Sequence, residues 1–324
     1  MFTNKDIEFR SIFVINCIEK RNLRVSNGEL LLEEEKDSVT NTLTKMPFQK
    51  ILALFVVGHI TITTALIDKC KKYNVTLIVV KPNLRPVFYW SNMAEANYLL
   101  KEKQYKFDKN NISIAKVIVE NKIKNQLKLL EKTRKCDEST KVSIQICKEA
   151  LSEIENIEDY YQLMGTEGFV AKHFFQAYFQ QYNWKKRMPR VKTDFINATL
   201  DIGYTILFNY IECFVRMFGF DIYVGIYHRL WFKRKSLICD LMEPFRCIIE
   251  NTLRNALNRK QCKESDFNIV KNEYILKREN NIVYQQLFFN ALIEHKQEVF
   301  KYIQKYYRAF MQGQSTKNYP QFTV

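Results

Sequence analysis

Two short segments of this chain bring together residue types that bind metal ions and phosphates. The segment Gly225–Arg246 contains one imidazole, His228, and two carboxylates, Asp240 and Glu243, within a few helical turns. About sixty residues upstream, Glu167 precedes an apolar, aromatic-rich stretch. A glutamate, a histidine and a second carboxylate can hold one divalent metal ion against a phosphate, while nearby lysines and arginines bind the flanking phosphates. This combination indicates a metal-dependent enzyme that acts on nucleic acid.

Each of these residues also has a purely structural interpretation. Asp240 and Glu243 are three positions apart ahead of an apolar run, which is the pattern of a helix capping box, and the tetrad alone favours a cap. Both roles are compatible, since Asp240 can cap the helix while Glu243 points outward. A lone histidine such as His228 is more often packed or exposed than a ligand. Glu167 fits either the first turn of a helix, favoured by the helix dipole, or a solvated position.

Basic residues cluster beside both candidate segments. Charge runs of this kind are usually solvated faces, but Trp184 and Trp231 interleave with them. A rigid ring beside cations is a common way to pack a sugar–phosphate or an unstacked base. The candidates for DNA binding are Lys185, Lys186, Arg187, Arg190, Lys233, Arg234, Lys235 and Arg246.

Composition and charge indicate a folded protein with a polyanionic partner. Hydrophobic residues make up 47% of the 324 residues, too many for a disordered basic tail. The formal net charge is +15, and residues 91–324 carry +11 of it. Basic surfaces bind nucleic acids because each neutralised phosphate releases counterions, although acidic membranes attract basic proteins too. The C-terminal part of the chain is therefore the expected polyanion surface.

Cysteine spacing and the N-terminal residues bear on the cellular location. The eight cysteines form no CxxC pair and lie mostly in apolar runs, which favours reduced core thiols over zinc ligands or disulfides. The first residues do not have the composition of a signal peptide. No apolar run reaches the roughly eighteen residues of a membrane span. We expect a cytoplasmic protein without a membrane partner.

The fold class predicted from these patterns is α+β, with a β-rich N-terminal domain that contains one helix, residues 1–90. The dipeptide Asn27-Gly28 is a strong hairpin signal between apolar segments. The expected elements of this domain are strands at Phe9–Cys17, Ile51–Val57, Val75–Val80 and Val87–Trp90, a hairpin at Leu23–Leu32, and a helix at Thr61–Tyr73.

Residues 91–324 are predicted to form a larger all-α domain, because apolar residues recur there at helical spacing. The tail from Gly313 onward is expected to be loose. The expected helices are Ile112–Leu130, Val142–Tyr161, Phe169–Tyr182, Phe195–Phe218, Glu243–Asn258 and Glu273–Phe310.

The order and spacing of several motifs resemble the CRISPR-associated integrase, the first of the Cas proteins, which inserts new spacers into CRISPR arrays. The resemblance covers nearly all of the chain. Its motifs are Ile60-Thr-Ile-Thr-Thr-Ala-Leu66, Ile114-Ala-Lys-Val-Ile with Lys122-Ile-Lys-Asn-Gln126, Glu167-Gly-x-x-Ala171, Arg190-x-x-x-Asp194-x-x-Asn197, Gly203-Tyr204, and Gly225 with His228 continuing into Asp240-Leu-Met-Glu-Pro-Phe-Arg246.

The resemblance implies a site and a reaction. Its metal ligands carry over to Glu167, His228 and Glu243, with Asp240 behind them as an orienting residue; many relatives have Asp where this chain has Glu243. Two carboxylates and an imidazole favour Mg²⁺ or Mn²⁺ over Zn²⁺. The implied reaction is transesterification that inserts short DNA fragments into a CRISPR array, with endonuclease activity as its counterpart.

The resemblance also implies partners. They are double-stranded DNA, namely the fragments and the repeat DNA, a second copy of the chain, and a small ferredoxin-like companion that bridges two dimers. We expect the N-terminal domain to supply the dimer contact, since short apolar strands such as Ile51–Val57 leave edges that a two-fold partner can cover. The alternative function is a non-catalytic basic DNA-binding scaffold in which the glutamates and the histidine are structural.

Overall fold

The structure is a computed structural model, and it describes residues 2–17, 21–91, 97–134, 137–182 and 184–324. The strands are β1 (Ser11–Cys17), β2 (Arg21–Ser26), β3 (Glu29–Lys36), β4 (Val39–Pro47), β5 (Ile51–Gly58), β6 (Thr76–Val80), β7 (Pro86–Trp90), β8 (Phe267–Val270) and β9 (Glu273–Leu276). The α-helices are α1 (Asn4–Phe9), α2 (Thr64–Tyr73), α3 (Tyr98–Lys106), α4 (Ser113–Glu131), α5 (Glu138–Glu153), α6 (Tyr160–Tyr178), α7 (Phe195–Met217), α8 (Ser236–Met242), α9 (Arg246–Asn258), α10 (Asn281–Glu294) and α11 (Lys296–Gln312). The α+β prediction, a β-rich N-terminal region followed by a mostly helical one, is confirmed.

Two sheets form the N-terminal region. The first has the order β1-β5-β6-β7, in which β7 is the antiparallel edge strand and the other neighbours are parallel. The second is the antiparallel sheet β2-β3-β4. Its first turn is Asn27-Gly28, and both residues have positive φ, 48° and 78°, as the predicted hairpin requires. Strand β4 and helix α1 were not predicted; most of β4 is exposed and has no alternating apolar pattern.

Strand β5 joins the N-terminal region to the helices. All eight of its residues are buried. One face packs within the β-rich region, where Leu54 and Val56 share a cluster with Phe48. On the other face the Phe55 ring lies 6.4 Å from that of Tyr210 and 5.1 Å from that of Phe289. The strand is therefore interior, and the expectation that it leaves an edge for a dimer partner is wrong.

The second part of the chain is not entirely helical. Strands β8 and β9 form an antiparallel hairpin in which Lys271 and Asn272, both with positive φ, make the turn. The prediction of one helix over Glu273–Phe310 is wrong at its start, because Glu273–Leu276 is the second strand of this hairpin. The rest of that range forms α10 and α11. Helix α7 agrees with its prediction to within one residue, since its buried face runs along its whole length.

The C-terminal tail is docked, contrary to the prediction that it is loose. Asn121 on α4 donates from its side-chain amide to the Phe322 carbonyl at 2.7 Å and accepts from the Phe322 N–H at 2.9 Å. Asn125 accepts from the Val324 N–H at 3.1 Å and donates to the Pro244 carbonyl at 3.0 Å. The same helix face therefore holds both the tail and the turn that carries Glu243.

The cysteines lie in the core, as expected from their apolar surroundings in the sequence. Within the described residues every cysteine is free, and all but the partly buried Cys239 are buried; Cys136 lies outside the described residues. Burial raises the pKa of the Cys70 thiol to about 12, which favours the neutral form. Among the helices in the described ranges, none is both long and apolar enough to cross a membrane.

Candidate active site

The two candidate glutamates converge on a single ammonium group. Helix α4 packs against α6 and against the 3₁₀ turn Glu243–Phe245, which follows α8. Lys122 projects from α4 into this junction, where its Nζ pairs with Glu167 Oε1 and lies 2.6 Å from Glu243 Oε2. The side chains of Lys122, Glu167 and Glu243 are 11%, 19% and 4% exposed, so the cluster is largely buried. Two glutamates that are far apart in sequence therefore contact the same ammonium group.

Glu167 lies in the third turn of α6 and not in its first, so the first-turn interpretation is wrong. The helix begins at Tyr160, where the Asp159 carboxylate caps it by accepting from the N–H groups of Tyr161 and Gln162. The two glycines that flank Thr166-Glu167 hid this start, because glycine is a poor helix former. A Cβ built on either glycine meets nothing within 4 Å, so the helix surface beside Glu167 is open.

Glu243 is held ionised by its neighbours. Burial alone would raise the pKa of its carboxyl, but Arg246, Lys122 and His228 outweigh burial and lower the pKa to about 2. Arg246 Nε lies 2.9 Å from Glu243 Oε2. The same oxygen lies 2.6 Å from Lys122 Nζ, so two cations contact it. Hard cations prefer ionised carboxylate oxygens, so Glu243 has the charge state of the ligand role that the resemblance implies.

Asp240 fixes the loop before α8 and caps no helix. It lies within α8 and is fully buried. Its Oδ2 accepts from the N–H groups of Ile226 and Tyr227 at 2.6 and 3.1 Å, and its Oδ1 accepts from the His228 N–H at 2.7 Å. The capping-box interpretation of Asp240 is therefore wrong. A Cβ on Gly225 would lie 2.8 Å from Asp240 Oδ2, which explains the glycine at this position.

The same carboxylate orients the histidine. Asp240 Oδ1 lies 2.7 Å from His228 Nδ1. Because a carboxylate only accepts hydrogen bonds, this contact assigns the proton to Nδ1 and leaves the Nε2 lone pair available. The arrangement matches a ligand histidine whose second nitrogen is fixed by a carboxylate. His228 remains 19% exposed, so its free nitrogen can be reached from solvent.

A layer of side chains packs behind Glu243 and consists of Tyr204, Arg187, Arg246 and Glu250. The Tyr204 ring is between two guanidinium groups, with Arg246 Cζ 4.6 Å and Arg187 Cζ 5.4 Å from its centroid. Its hydroxyl donates to Glu250 Oε1 at 2.8 Å. Burial raises the pKa of the Glu250 carboxyl to about 7, although Tyr204, Lys122 and Arg246 act in the opposite direction. The layer supports Arg246, which in turn contacts Glu243.

The structure divides the predicted DNA-binding cations into two groups. Arg187, Lys235 and Arg246 are engaged by Asp201, Glu212 and Glu243, at 2.5, 2.7 and 2.9 Å. Arg234 is partly buried. The remaining four, whose side chains are exposed, are Lys185, Lys186, Arg190 and Lys233.

The two tryptophans that interleave with the basic runs differ. Trp184 packs against Phe175 and Phe179 and donates its indole N–H to Asp194 at 3.0 Å. Trp231 is 76% exposed. Trp184 is therefore packed against the core, and of the two only Trp231 is free to contact a ligand.

Sequence reasoning did not identify Lys122, Tyr204 and Glu250 as site residues. Lys122 and Tyr204 stand in motifs of the resemblance, but the packing of α4, α7 and α9 is what brings the three together. Over the described ranges, no three His, Cys, Asp or Glu side chains are grouped closely enough to hold a metal ion. Lys122 lies between Glu167 and Glu243 and pairs with both.

The sequence model of the family described as CRISPR associated protein Cas1 matches residues 17–288. The chain therefore belongs to this family. It is 26% identical over 236 residues to CRISPR-associated endonuclease Cas1 1 of Thermodesulfovibrio yellowstonii, a match that covers 68% of this chain and 73% of that protein.

Solved structures share the fold. A casposase bound to an integration product superposes with a TM-score of 0.76 at 18% identity, covering 96% of this chain and 94% of that chain. A chain of a Cas6-RT-Cas1–Cas2 complex superposes with a TM-score of 0.76 at 20% identity, covering 97% of this chain. The present chain spans only 36% of that longer chain. At these identities the likeness establishes the fold.

Proposed function

We propose that this protein is a metal-dependent DNA integrase and endonuclease that inserts short DNA fragments as new spacers into a CRISPR array by transesterification. The observation that carries the proposal is the contact of Glu167 and Glu243 with the same ammonium group. His228, which Asp240 holds in one tautomer, interacts electrostatically with Glu243. Membership of the Cas1 family and a casposase relative bound to an integration product support it.

Glu167, Glu243 and His228 Nε2 would hold the metal, Mg²⁺ or Mn²⁺. When bound, such an ion activates an attacking hydroxyl and neutralises charge on the scissile phosphate. The role of Asp240 is to keep the imidazole oriented, and that of Arg246 and Lys122 is to keep Glu243 ionised. A DNA 3′-hydroxyl as nucleophile gives integration, whereas water gives a nick, because positioning selects between them.

DNA binding is assigned to the exposed cations. Lys185, Lys186, Arg190 and Lys233 are free to contact phosphates, while the engaged arginines and Lys235 position the site. The open surface of α6 beside Glu167, where the two glycines lack side chains, gives a DNA backbone room to approach. We propose action in the cytoplasm, on double-stranded fragments and repeat DNA.

The assembly proposed for this activity is a homodimer that a small ferredoxin-like companion bridges to a second dimer. A solved Cas1–Cas2 complex supports a companion protein. The dimer contact is assigned to the N-terminal region, residues 1–90, with residues 91–324 as the catalytic, DNA-binding part. The exposed edge of β4, where Val39 and Leu43 are 57% and 43% exposed, replaces the interior β5 as the surface that a partner would cover.

One observation favours the second candidate, a DNA-binding scaffold without catalysis. Lys122 neutralises both glutamates, as in a purely structural ion cluster. Strand transfer on a branched oligonucleotide with Mg²⁺ or Mn²⁺, compared with EDTA, separates the two. Activity that requires the metal supports the integrase; DNA binding without metal-stimulated transfer supports the scaffold, and transfer that survives EDTA or appears only with Zn²⁺ contradicts the metal assignment.

A further inference from the structure

The loop that leads from α7 to His228 contains no helix or strand. We call residues 219–228 the His228 loop. The Asp240 carboxylate accepts hydrogen bonds from the last three N–H groups of this loop, those of Ile226, Tyr227 and His228. Asp240 therefore fixes the end of the loop, and the beginning of the loop requires other partners.

Gln104 on α3 binds the backbone at the beginning of the His228 loop. Its Nε2 donates to the carbonyls of Asp221 at 3.0 Å and Val224 at 3.3 Å, and its Oε1 accepts from the Asp221 N–H at 2.8 Å. Gln104 is only 2% exposed, so water cannot readily replace it as a partner. Because buried backbone groups are costly to leave unpaired, this single amide stabilises one conformation of the loop.

Three other side chains of α3 and its flanking residues contact the same stretch of chain. The contacts are Asn97 Nδ2 to the Phe218 carbonyl at 3.2 Å, Tyr105 Oη to Asp221 Oδ2 at 2.7 Å, and Lys109 Nζ to the Gly225 carbonyl at 3.4 Å. The contacts follow the same order along both segments. The first helix after the N-terminal region therefore lies alongside the His228 loop as far as Gly225, where the bonds to Asp240 begin.

The orientation of the His228 ring depends on where the loop holds its backbone. Asp240 Oδ1 lies 2.7 Å from the His228 N–H nitrogen and 2.7 Å from His228 Nδ1. A displacement of the loop by about 1 Å would lengthen both contacts beyond the range of a hydrogen bond. An imidazole without such a partner favours the proton on Nε2, which removes the lone pair that a metal ion needs.

We propose that Gln104 is a positioning residue that acts through the His228 loop and fixes the location and the tautomer of His228. Gln104 holds the beginning of the loop, and Asp240 holds its end and the ring. The inference rests on the proposed function, in which His228 Nε2 binds the metal, and deepens it by assigning a second orienting residue to that ligand.

The test is the tautomer of His228 in the full-length protein without metal. Nitrogen NMR of histidine-labelled protein in EDTA distinguishes the two tautomers, and His228→Ala identifies the signal. The wild type should show the proton on Nδ1. In Gln104→Met, which fills similar space but makes none of the three hydrogen bonds, the signal should shift towards the tautomer with the proton on Nε2. The wild-type tautomer in a folded Gln104→Met protein would overturn the proposal, and so would a wild type with the proton on Nε2.

Lys103→Met is the matched control on the same helix. Lys103 Nζ donates to the Met311 carbonyl at 3.0 Å and makes no printed contact with the His228 loop, so its loss should leave the tautomer unchanged. An equal shift in this variant would show that any disturbance of α3 reaches the histidine, which contradicts a specific role of Gln104. If Gln104→Met does not fold, Gln104→Asn decides the question, because its shorter amide keeps the site polar but cannot reach all three backbone groups.

Strand transfer with Mn²⁺ adds a separate measurement. At saturating DNA, the single-turnover rate of Gln104→Met should fall about 10- to 100-fold, as for other residues that orient metal ligands. Its affinity for duplex DNA should change less than about threefold, because phosphate contacts supply that affinity. Weaker DNA binding with an unchanged rate at saturation would place Gln104 in DNA binding and overturn the proposal. If the wild type performs no strand transfer, the proposed function fails, and the tautomer comparison still decides the role of Gln104.

Discussion

Lys122→Met should destabilise the metal-free protein, because Lys122 is the common ion-pair partner of two largely buried carboxylates, Glu167 and Glu243. Removing one member of a buried ion pair typically costs about 3–5 kcal/mol. The lower end of that range applies here, because Glu243 keeps Arg246 at 2.9 Å and Glu167 is 19% exposed. We therefore expect a loss of about 3 kcal/mol in the free energy of unfolding, measured by urea unfolding at neutral pH in EDTA.

Lys124→Met on the same helix is the matched control. Lys124 pairs with Glu120 at 2.6 Å, but its side chain is 48% exposed. An exposed pair of this kind contributes about 1 kcal/mol or less. If the two variants unfold within about 0.5 kcal/mol of each other, a difference typical of ordinary surface substitutions, the ion cluster does not stabilise the fold as argued.

Manganese should then restore part of the stability lost in Lys122→Met. A divalent ion can take the place of the ammonium between Glu167 and Glu243, and a ligand at a hundred times its Kd stabilises by about 2.7 kcal/mol. The gain in melting temperature with Mn²⁺ should be larger for this variant than for the wild type, in which the ion competes with Lys122. If Mn²⁺ changes the melting temperature of neither protein, the metal ion does not bind where the Lys122 ammonium group lies.

Three further predictions follow from the contacts around the site. The pKa of the Glu250 carboxyl is about 7 in the folded protein and about 4.3 in the unfolded one. Its contribution to the free energy of unfolding is therefore complete below about pH 4.3 and is lost as the pH rises through about 7. In Glu250→Gln, the free energy of unfolding measured with urea should therefore fall less between pH 5 and pH 8 than in the wild type. The same fall in both proteins would contradict a buried neutral carboxyl at position 250. Asp240→Asn replaces an acceptor of four N–H groups by an amide, so single-turnover strand transfer should fall about 10- to 100-fold, as for other residues that orient ligands; transfer at the wild-type rate would show that His228 does not need the contact. Lys185→Ser/Lys186→Ser should weaken DNA binding and reduce its salt slope by about one per lost contact, without changing metal affinity; an unchanged slope would exclude both lysines from the interface.

Local patterns predicted those elements whose signals are contained in a few residues. The Asn27-Gly28 hairpin, the apolar strand at Ile51–Val57 and the long helix α7 have such signals. Elements without a local signal were missed. The tail from Gly313 looks polar and loose, but Tyr319 and Phe322 are buried against the helices, and Asn121 binds the backbone of Phe322. Tertiary contacts decide such segments, and local composition cannot.

The candidate site shows the same limit. Residue types and spacing selected His228, Asp240 and Glu243, which the structure places around one loop and one turn. Spacing could not show whether the Asp240 carboxylate caps a helix or accepts hydrogen bonds from a loop. The answer depends on which backbone N–H groups lie near the carboxylate in the folded protein. Lys122 stands in a motif of the resemblance but was given no role, since a lysine on an amphipathic helix is ordinarily solvated. Its burial follows only from the packing of α4 against α6.

The central claim is that Glu167, His228 and Glu243 hold the metal that performs strand transfer, and His228→Ala tests it most directly. With Mn²⁺ and a branched oligonucleotide, this variant should lose at least about 10²-fold in the rate of strand transfer, as when other positioned catalytic groups are removed. Its affinity for duplex DNA should stay within a few fold, because many phosphate contacts supply that affinity. Wild-type strand transfer by His228→Ala would contradict the assignment of the metal site.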